Sequence, residues 1–401
     1  MTQVPTKLPV LVILLWMAGL GAGGQFSKIA VFLPELSVIY PGHGAAIGFL
    51  LSIISLVGIL FGLIAATALN SIGAQRMLIA ALLLGSCVSV FQSIMPSFTV
   101  IMASRILEGV SHLIIVVAAP TLIGTLSLPR FRGLSMSLWG TFFSVAFALT
   151  AWLGIPLVST YGTGALFMAH GIFMALVGIA LAVLLPAESV KSTRQAGSRR
   201  LPNITDIARR HRDVYTSPFI AAPALGWLFY GATFVALMSI LPTLLPAEHR
   251  SVVAGSMPMA AIVVSMTLGV TLLRFIPAVK VISLGFGIAI VMASFFLFLP
   301  TQPWMAIALM GSMGLVQGAS FAAVPQLNSD PSNQALANGG IAQAGNSGNL
   351  IGTPLLLSVL SLAGVKGMLI TVIGLYTLGL MAHLLTARAR SRLPIVVAGA
   401  V

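Results

Sequence analysis

Apolar residues run along this chain in blocks of about twenty, separated by short polar or turn-forming stretches. A helix rises about 1.5 Å per residue, so such a block matches a hydrocarbon core of roughly 30 Å. The pattern predicts twelve transmembrane helices, at 8–37, 45–68, 75–95, 98–126, 133–157, 163–186, 217–245, 252–273, 277–299, 303–326, 335–361 and 365–387. Turn signals mark several joints: Pro41-Gly42, Pro96-Ser97, Tyr161-Gly162 and Asp330-Pro331. The first block follows Lys7, as the apolar stretch of a signal peptide would. It continues past Lys28 to about Leu36, too long for that role, and no small-residue cleavage site leads into a soluble domain.

Composition changes the picture in one respect, by excluding a soluble domain. Hydrophobic residues make up 58% of the 401 residues and charged residues only 7%, against about 25% charged in ordinary soluble domains. A net charge of +13 would suggest nucleic acid in a soluble protein, but here the basic residues sit mainly between the apolar blocks. They fall on alternate sides. One side carries Lys7, Arg76, Arg130, Arg132, the stretch from Lys191 to Arg212, Arg274, Lys280, Arg388, Arg390 and Arg392; the other carries Arg250 and Lys366. The positive-inside rule puts the rich side and both termini in the cytoplasm. The single cysteine, Cys87, allows no intrachain disulfide and no cysteine metal cluster.

The longest polar stretch, 187–216, divides the chain into a bundle over 1–186, a cytoplasmic linker, and a second bundle over 217–401 that ends in a short tail. Ile204–Arg212 could form a short amphipathic helix on the membrane surface, although a solvated tether explains the same residues. An internal repeat supports the division. Glu108-Gly109-Val110-Ser111 followed by Pro120 in the fourth block has a counterpart in Gln317-Gly318-Ala319-Ser320 followed by Pro325 in the tenth. The expected fold is therefore an all-α polytopic membrane protein, with twelve helices in two pseudo-symmetric six-helix bundles.

Charges within a span are costly, by about 2.5–3.5 kcal/mol each on insertion scales, and mark candidate chemistry. Lys28 lies in the first span, and Arg105 and Glu108 in the fourth, with His112 one turn further on. Lys28 lies about 12 Å inside the end of its span and Glu108 about 15 Å inside the end of its own, so the two can meet. Glu108 and His112 share a helix face, and Arg105 lies close to it. These residues form either a proton-relay and solute site or a polar brace between two helices. Gln25, one turn before Lys28, could share its face. Gly19, Gly21, Gly23 and Gly24 suit close helix packing. The second half offers neutral hydrogen-bonding groups: Tyr230, Thr233, Gln317, Asn338, and a stripe of Gln343, Asn346 and Asn349. These are candidate solute contacts or bridges between helices.

The six-linker-six organisation resembles the major facilitator superfamily. Ala66 to Arg76, between the second and third spans, is similar to that family's loop signature Gly-x-Leu-Ala-Asp-Arg-x-Gly-Arg-Arg. Gly73 matches the second glycine, Arg76 lies one place beyond the final arginine, Ala66 replaces the first glycine, and Asn70 replaces the aspartate. The resemblance implies a gating role for Asn70, Gly73 and Arg76. Asn70 cannot form the ion pair of the acidic residue, so a weaker gate or other contacts are implied. Arg105 to Gly109 looks like the family's Arg-x-x-x-Gly motif, while Gly269 to Arg274 is a poor echo of the loop signature. The fifth span lacks the Gly-Pro motif common in the family's drug/proton antiporters. Within the family the closest likeness is to the cyanate- and anion-transporter-like branch.

The resemblance implies alternating-access transport through a cavity lined by helices one and four of each half. Together with Lys28 and Arg105, it leads to the expectation of a small organic or inorganic anion, with Glu108 and His112 as the candidates for proton coupling. The alternative within transport is proton-driven efflux of a hydrophobic or drug-like compound. The alternative from another class is a membrane receptor or enzyme, which would need a catalytic cluster or a sizeable extramembrane domain. No P-loop, zincin motif or serine-hydrolase elbow occurs, so no ATP drive, cofactor or metal is expected. The expected setting is a plasma membrane, the inner one in a bacterium. The expected partners are a small solute, protons and lipid, with no nucleic acid and the chain acting as a monomer.

Overall fold

The structure is a computed structural model and describes residues 8–43, 46–47, 49–185, 204–300 and 302–392. Lys7, linker residues 187–203 with Lys191, and the last nine residues lie outside it, as does the side chain of Asn70. Among the described residues the chain is almost wholly helical, without strands.

The first half contains α1 (Leu8–Ala30), α2 (Leu33–Ile39), α3 (Phe49–Ile72), α4 (Ala74–Gln92), α5 (Phe98–Leu126), α6 (Pro129–Gly140), α7 (Phe142–Tyr161, with a π turn at Thr150–Gly154) and α8 (Thr163–Leu184). Helix α9 (Ile204–Thr216) precedes the second half. That half holds α10 (Ala221–Ile240), α11 (Ala247–Val264, prolonged by a π turn at Ser265–Gly269), α12 (Ala278–Phe298), α13 (Pro303–Leu327) and α14 (Pro331–Ser391). Several starts follow from proline, whose fixed φ suits a first turn that needs no N–H: Pro129, Pro303 and Pro331 each open a helix. Asp330 adds a side-chain cap, accepting from Asn333 N at 3.0 Å.

Eleven of these helices are long and apolar enough to cross a membrane. The predicted twelfth arises from a break in α14. Gly364 has φ 66° and ψ −169°, a combination that the missing Cβ permits. The two legs return to one side: Asn328, just before α14, donates to Phe219 O at 3.3 Å, and Arg390 at its far end donates to Pro218 O at 2.7 Å. The first predicted span, 8–37, is not one helix but α1 and α2. Pro34 has no N–H to give the carbonyl of Ala30, so the ladder stops and restarts.

The packing falls into two groups. Helix α1 packs on α5, α7 and α8, and α4 on α5 and α8; α10 packs on α13 and α14, and α12 on both of these. The groups meet along a seam where α3 and α5 face α14, and α6 faces α13. Gly140 marks a close approach of backbones across that seam. A Cβ there would stand 2.8 Å from the carbonyl oxygen of Gln317, so only glycine lets the two backbones come this close.

Candidate functional site

Lys28, Arg105 and Glu108 meet inside the first bundle. Lys28 Nζ lies 2.5 Å from Glu108 Oε1, and Arg105 Nη1 pairs with Glu108 Oε2. All three are almost fully buried. Helix α4 supplies the polar groups that complete the cluster. Lys28 also donates to Ser89 Oγ at 2.8 Å and to Gln92 Oε1 at 3.0 Å. The Gln92 amide has a forced orientation: its oxygen takes the ammonium, and its nitrogen donates to Glu108 Oε2 and Ser104 Oγ, each at 2.9 Å. Arg105 Nε donates to Leu50 O at 2.8 Å. Ser89 lies 2.9 Å from His170 Nδ1, and His170 Nε2 donates to Gly21 O at 2.9 Å. The Phe167 ring lies 4.6 Å from the Lys28 ammonium. Buried charges need partners of this kind, because an unpaired one costs several kcal/mol. The cluster joins α1, α3, α4, α5 and α8.

The cavity lies elsewhere, on the seam between the bundles. Its compartments, of about 80, 180 and 490 Å³, share Phe143 and Val235. Aromatic rings form much of the inner wall: Phe26, Phe143, Trp227, Tyr230, Phe234 and Phe321. Trp227 stacks on Tyr230 at 4.3 Å, and Tyr230 on Phe234 at 4.9 Å. The amides and imidazole on the walls are Gln317, Asn346, Asn349 and His112, hydroxyls come from Ser52, Ser55, Ser144, Ser239 and Thr353, and among the described residues no Asp, Glu, Lys or Arg lines any of the three compartments. The larger compartments reach Ala30, Trp152 and Thr353, near the ends of α1, α7 and the first leg of α14 that lie away from α9.

On the α9 side the seam is shut. Asn338 donates to Thr121 Oγ1 at 3.0 Å, and Gln343 donates to Ile59 O at 2.6 Å. Helix α9 adds Tyr215, whose hydroxyl donates to Gln343 Oε1 at 2.6 Å. Burial raises the pKa of that hydroxyl above its ordinary value, so it remains a donor at neutral pH.

The sequence-derived candidates therefore separate into groups. Tyr230, Gln317, Asn346 and His112 line the cavity. Lys28, Arg105 and Glu108 come together as the depth argument predicts, but as a cluster within the bundle and off the cavity wall. Gln25 is also internal, donating to Ser111 Oγ at 3.0 Å. Gln343 belongs to the closed seam. Gly73, at φ 107°, forms the turn between α3 and α4, and Arg76 is exposed beyond it. Asn70 ends near that turn on α3, its side chain outside the description. Sequence reasoning missed Ser89, Gln92 and His170. The signal available was the polar step Ser86, Ser89, Gln92 at intervals of three in an otherwise apolar span.

Two helical bundles around a seam cavity, with eleven helices among the described residues long and apolar enough to cross a membrane, have the architecture of a multi-pass membrane transporter. The family model of the Major Facilitator Superfamily matches residues 11–353, and the chain belongs to that superfamily. Solved structures of similar fold include the human organic anion transporter MFSD10 (TETRAN), with TM-score 0.72, 16% identity, and coverage of 95% of this chain and 100% of that one. FucP in its outward conformation superposes with TM-score 0.75 at 14% identity, covering 96% and 100% of the two chains. The proton:xylose symporter XylE gives 0.74 at 13%, covering 96% of each. No curated protein sequence matches significantly.

Proposed function

We propose that this transporter is a secondary active carrier that moves a small, largely apolar solute bearing hydrogen-bonding groups, by alternating access between its two bundles. The observation that carries this reading is the seam cavity, walled by stacked aromatic rings and amides and free of full charges. A charged solute would leave water there without a fixed counter-charge, which is costly. An aromatic or amphipathic solute would gain ring contacts, each worth about 0.5–1.5 kcal/mol beyond burial. Among the described residues His112 is the one imidazole on the wall, and it is the favoured carrier of any coupled proton. With the basic linker side in the cytoplasm, as the positive-inside rule has it, the cavity opens outward.

A second reading, a monoanion, draws on Lys28 and Arg105. Against Glu108 alone they leave the buried cluster one positive charge in excess, and Arg105 Nη2 has no acceptor among the described residues. MFSD10 is itself an organic anion transporter, although its likeness to this chain is one of fold.

The test is uptake into proteoliposomes with matched labelled solutes, neutral aromatic against monoanionic, with and without an imposed pH gradient. Saturable transport of the neutral set supports the first reading. Transport confined to anions, and lost in Lys28→Gln, replaces it with the second.

A further inference from the structure

Gln317 does more than line the cavity. Its amide nitrogen donates across the seam to Gly140 O at 2.5 Å and to Ser144 Oγ at 3.3 Å. Gly140 O can only accept, so the amide cannot be turned round without placing two oxygens together. Both N–H groups are therefore spent within the protein. The remaining atom, Gln317 Oε1, is closed off from water and has no donor. The residue itself is 1% exposed. An unsatisfied buried acceptor of this kind normally costs about 1–3 kcal/mol.

Two neighbours on the same wall have the same polarity. His112 Nδ1 stands 3.0 Å from Ala22 O, another pure acceptor, so Nδ1 bears the proton and a neutral ring offers only the lone pair of Nε2. Asn346 directs an N–H to Ala342 O at 2.7 Å, leaving its own oxygen free. Donors from Gln317, His112 and Asn346 go to the backbone and, for Gln317, also to Ser144, while all three residues stand on the cavity wall with an acceptor to spare.

We infer that Gln317 Oε1 is the polar recognition point of the cavity and selects solutes that carry an N–H or O–H donor. This rests on the reading of the seam cavity as the solute site. The oxygen is closed to water in this arrangement, so a donor reaches it only as the side chains around it part, and it then forms a bond without first displacing water from the acceptor. Tyr230 and Trp227 supply aromatic faces beside it. A solute held this way contacts a residue that also ties α13 to α6, so recognition and the seam are read by one side chain.

The experiment measures binding to the purified full chain by equilibrium dialysis, with donor and methyl-blocked pairs. These are indole against 1-methylindole and 2-naphthol against 2-methoxynaphthalene, with 3-methylindole as the control for added volume. The expected result is about tenfold tighter binding of indole and 2-naphthol, with 3-methylindole grouped with indole. In Gln317→Met the preference should fall to about onefold while the blocked compounds still bind. Equal binding within each pair by the unaltered chain overturns the inference while leaving the cavity reading intact, whether or not the methionine variant folds. A preference that survives in Gln317→Met also overturns it. Failure of every compound to bind overturns the cavity reading and the inference with it.

Discussion

Asn338 of α14 donates to Thr121 of α5 at 3.0 Å, a hydrogen bond that crosses from one bundle to the other on the side where the seam is shut. Both residues are buried, and the neighbouring glycine Gly339 packs directly on Ala66 of α3. The contact exists only while the bundles are closed there, so it and the Gln343 contacts hold that closed state.

Removing these bonds should shift the balance between closed and open states. Each is worth about 0.5–1.5 kcal/mol, so Asn338→Ala combined with Gln343→Ala should raise opening on the α9 side by about 5- to 100-fold. The measurement is maleimide labelling of a cysteine placed at Ala66, in a Cys87→Ser background. An unchanged labelling rate would show that packing alone closes the seam.

The buried ion cluster predicts strong coupling between Lys28 and Glu108. Lys28→Ala should destabilise the protein by about 3–5 kcal/mol, because Glu108 loses a cation in a site without water. Adding Glu108→Gln should recover part of that loss. Thermal unfolding of the two single variants and the double variant gives the coupling, and strict additivity would argue against a working pair.

Gly140→Ala should loosen the seam. The new Cβ would lie 2.8 Å from Gln317 O and 3.2 Å from Gly318 Cα, both backbone atoms that cannot rotate away. Overpacking of this kind costs about 1–3 kcal/mol. Thermal stability should fall, and Gln317 should lose its grip on the carbonyl of residue 140. A Gly140→Ala protein as stable as the parent, with unchanged solute binding, would contradict the close approach.

If a proton accompanies the solute, His112 is where its removal should show. His112→Gln keeps a polar group beside Ala22 but cannot titrate. Transport by this variant should lose its response to an imposed pH gradient, while Lys28→Gln should retain that response if it folds. A response unchanged in His112→Gln assigns the proton elsewhere.

Much of the fold was readable because blocks of about twenty apolar residues have few alternatives in a membrane. Depth counting also sufficed to bring Lys28 to Glu108. It did not show which way Lys28 points. Phe26 lines the cavity, and Lys28 is two residues later, roughly 200° round the helix at 3.6 residues per turn. The charge therefore turns into the bundle, where α4 and α8 wait with Ser89, Gln92 and His170. Those partners are neutral and scattered over two further spans, so no local pattern in the sequence tied them to the ion pair. Gln317 stood out more readily, as an amide deep in an apolar helix, and Asn346 as a member of the amide stripe. Gln343 stood out equally but serves the closed seam, because it comes to lie beside Ile59 and Tyr215.

The separation of the ion cluster from the cavity wall has a consequence for how such a carrier can change its cargo. The charges that clamp α1, α4, α5 and α8 together are not among the residues that line the seam cavity. Rings such as Phe143 and Phe234 can be exchanged for larger, smaller or more polar side chains without disturbing that clamp. Mutational drift in selectivity and mutational tolerance of the scaffold are then largely independent, and new cargoes can be sampled from a bundle whose integrity is not at stake.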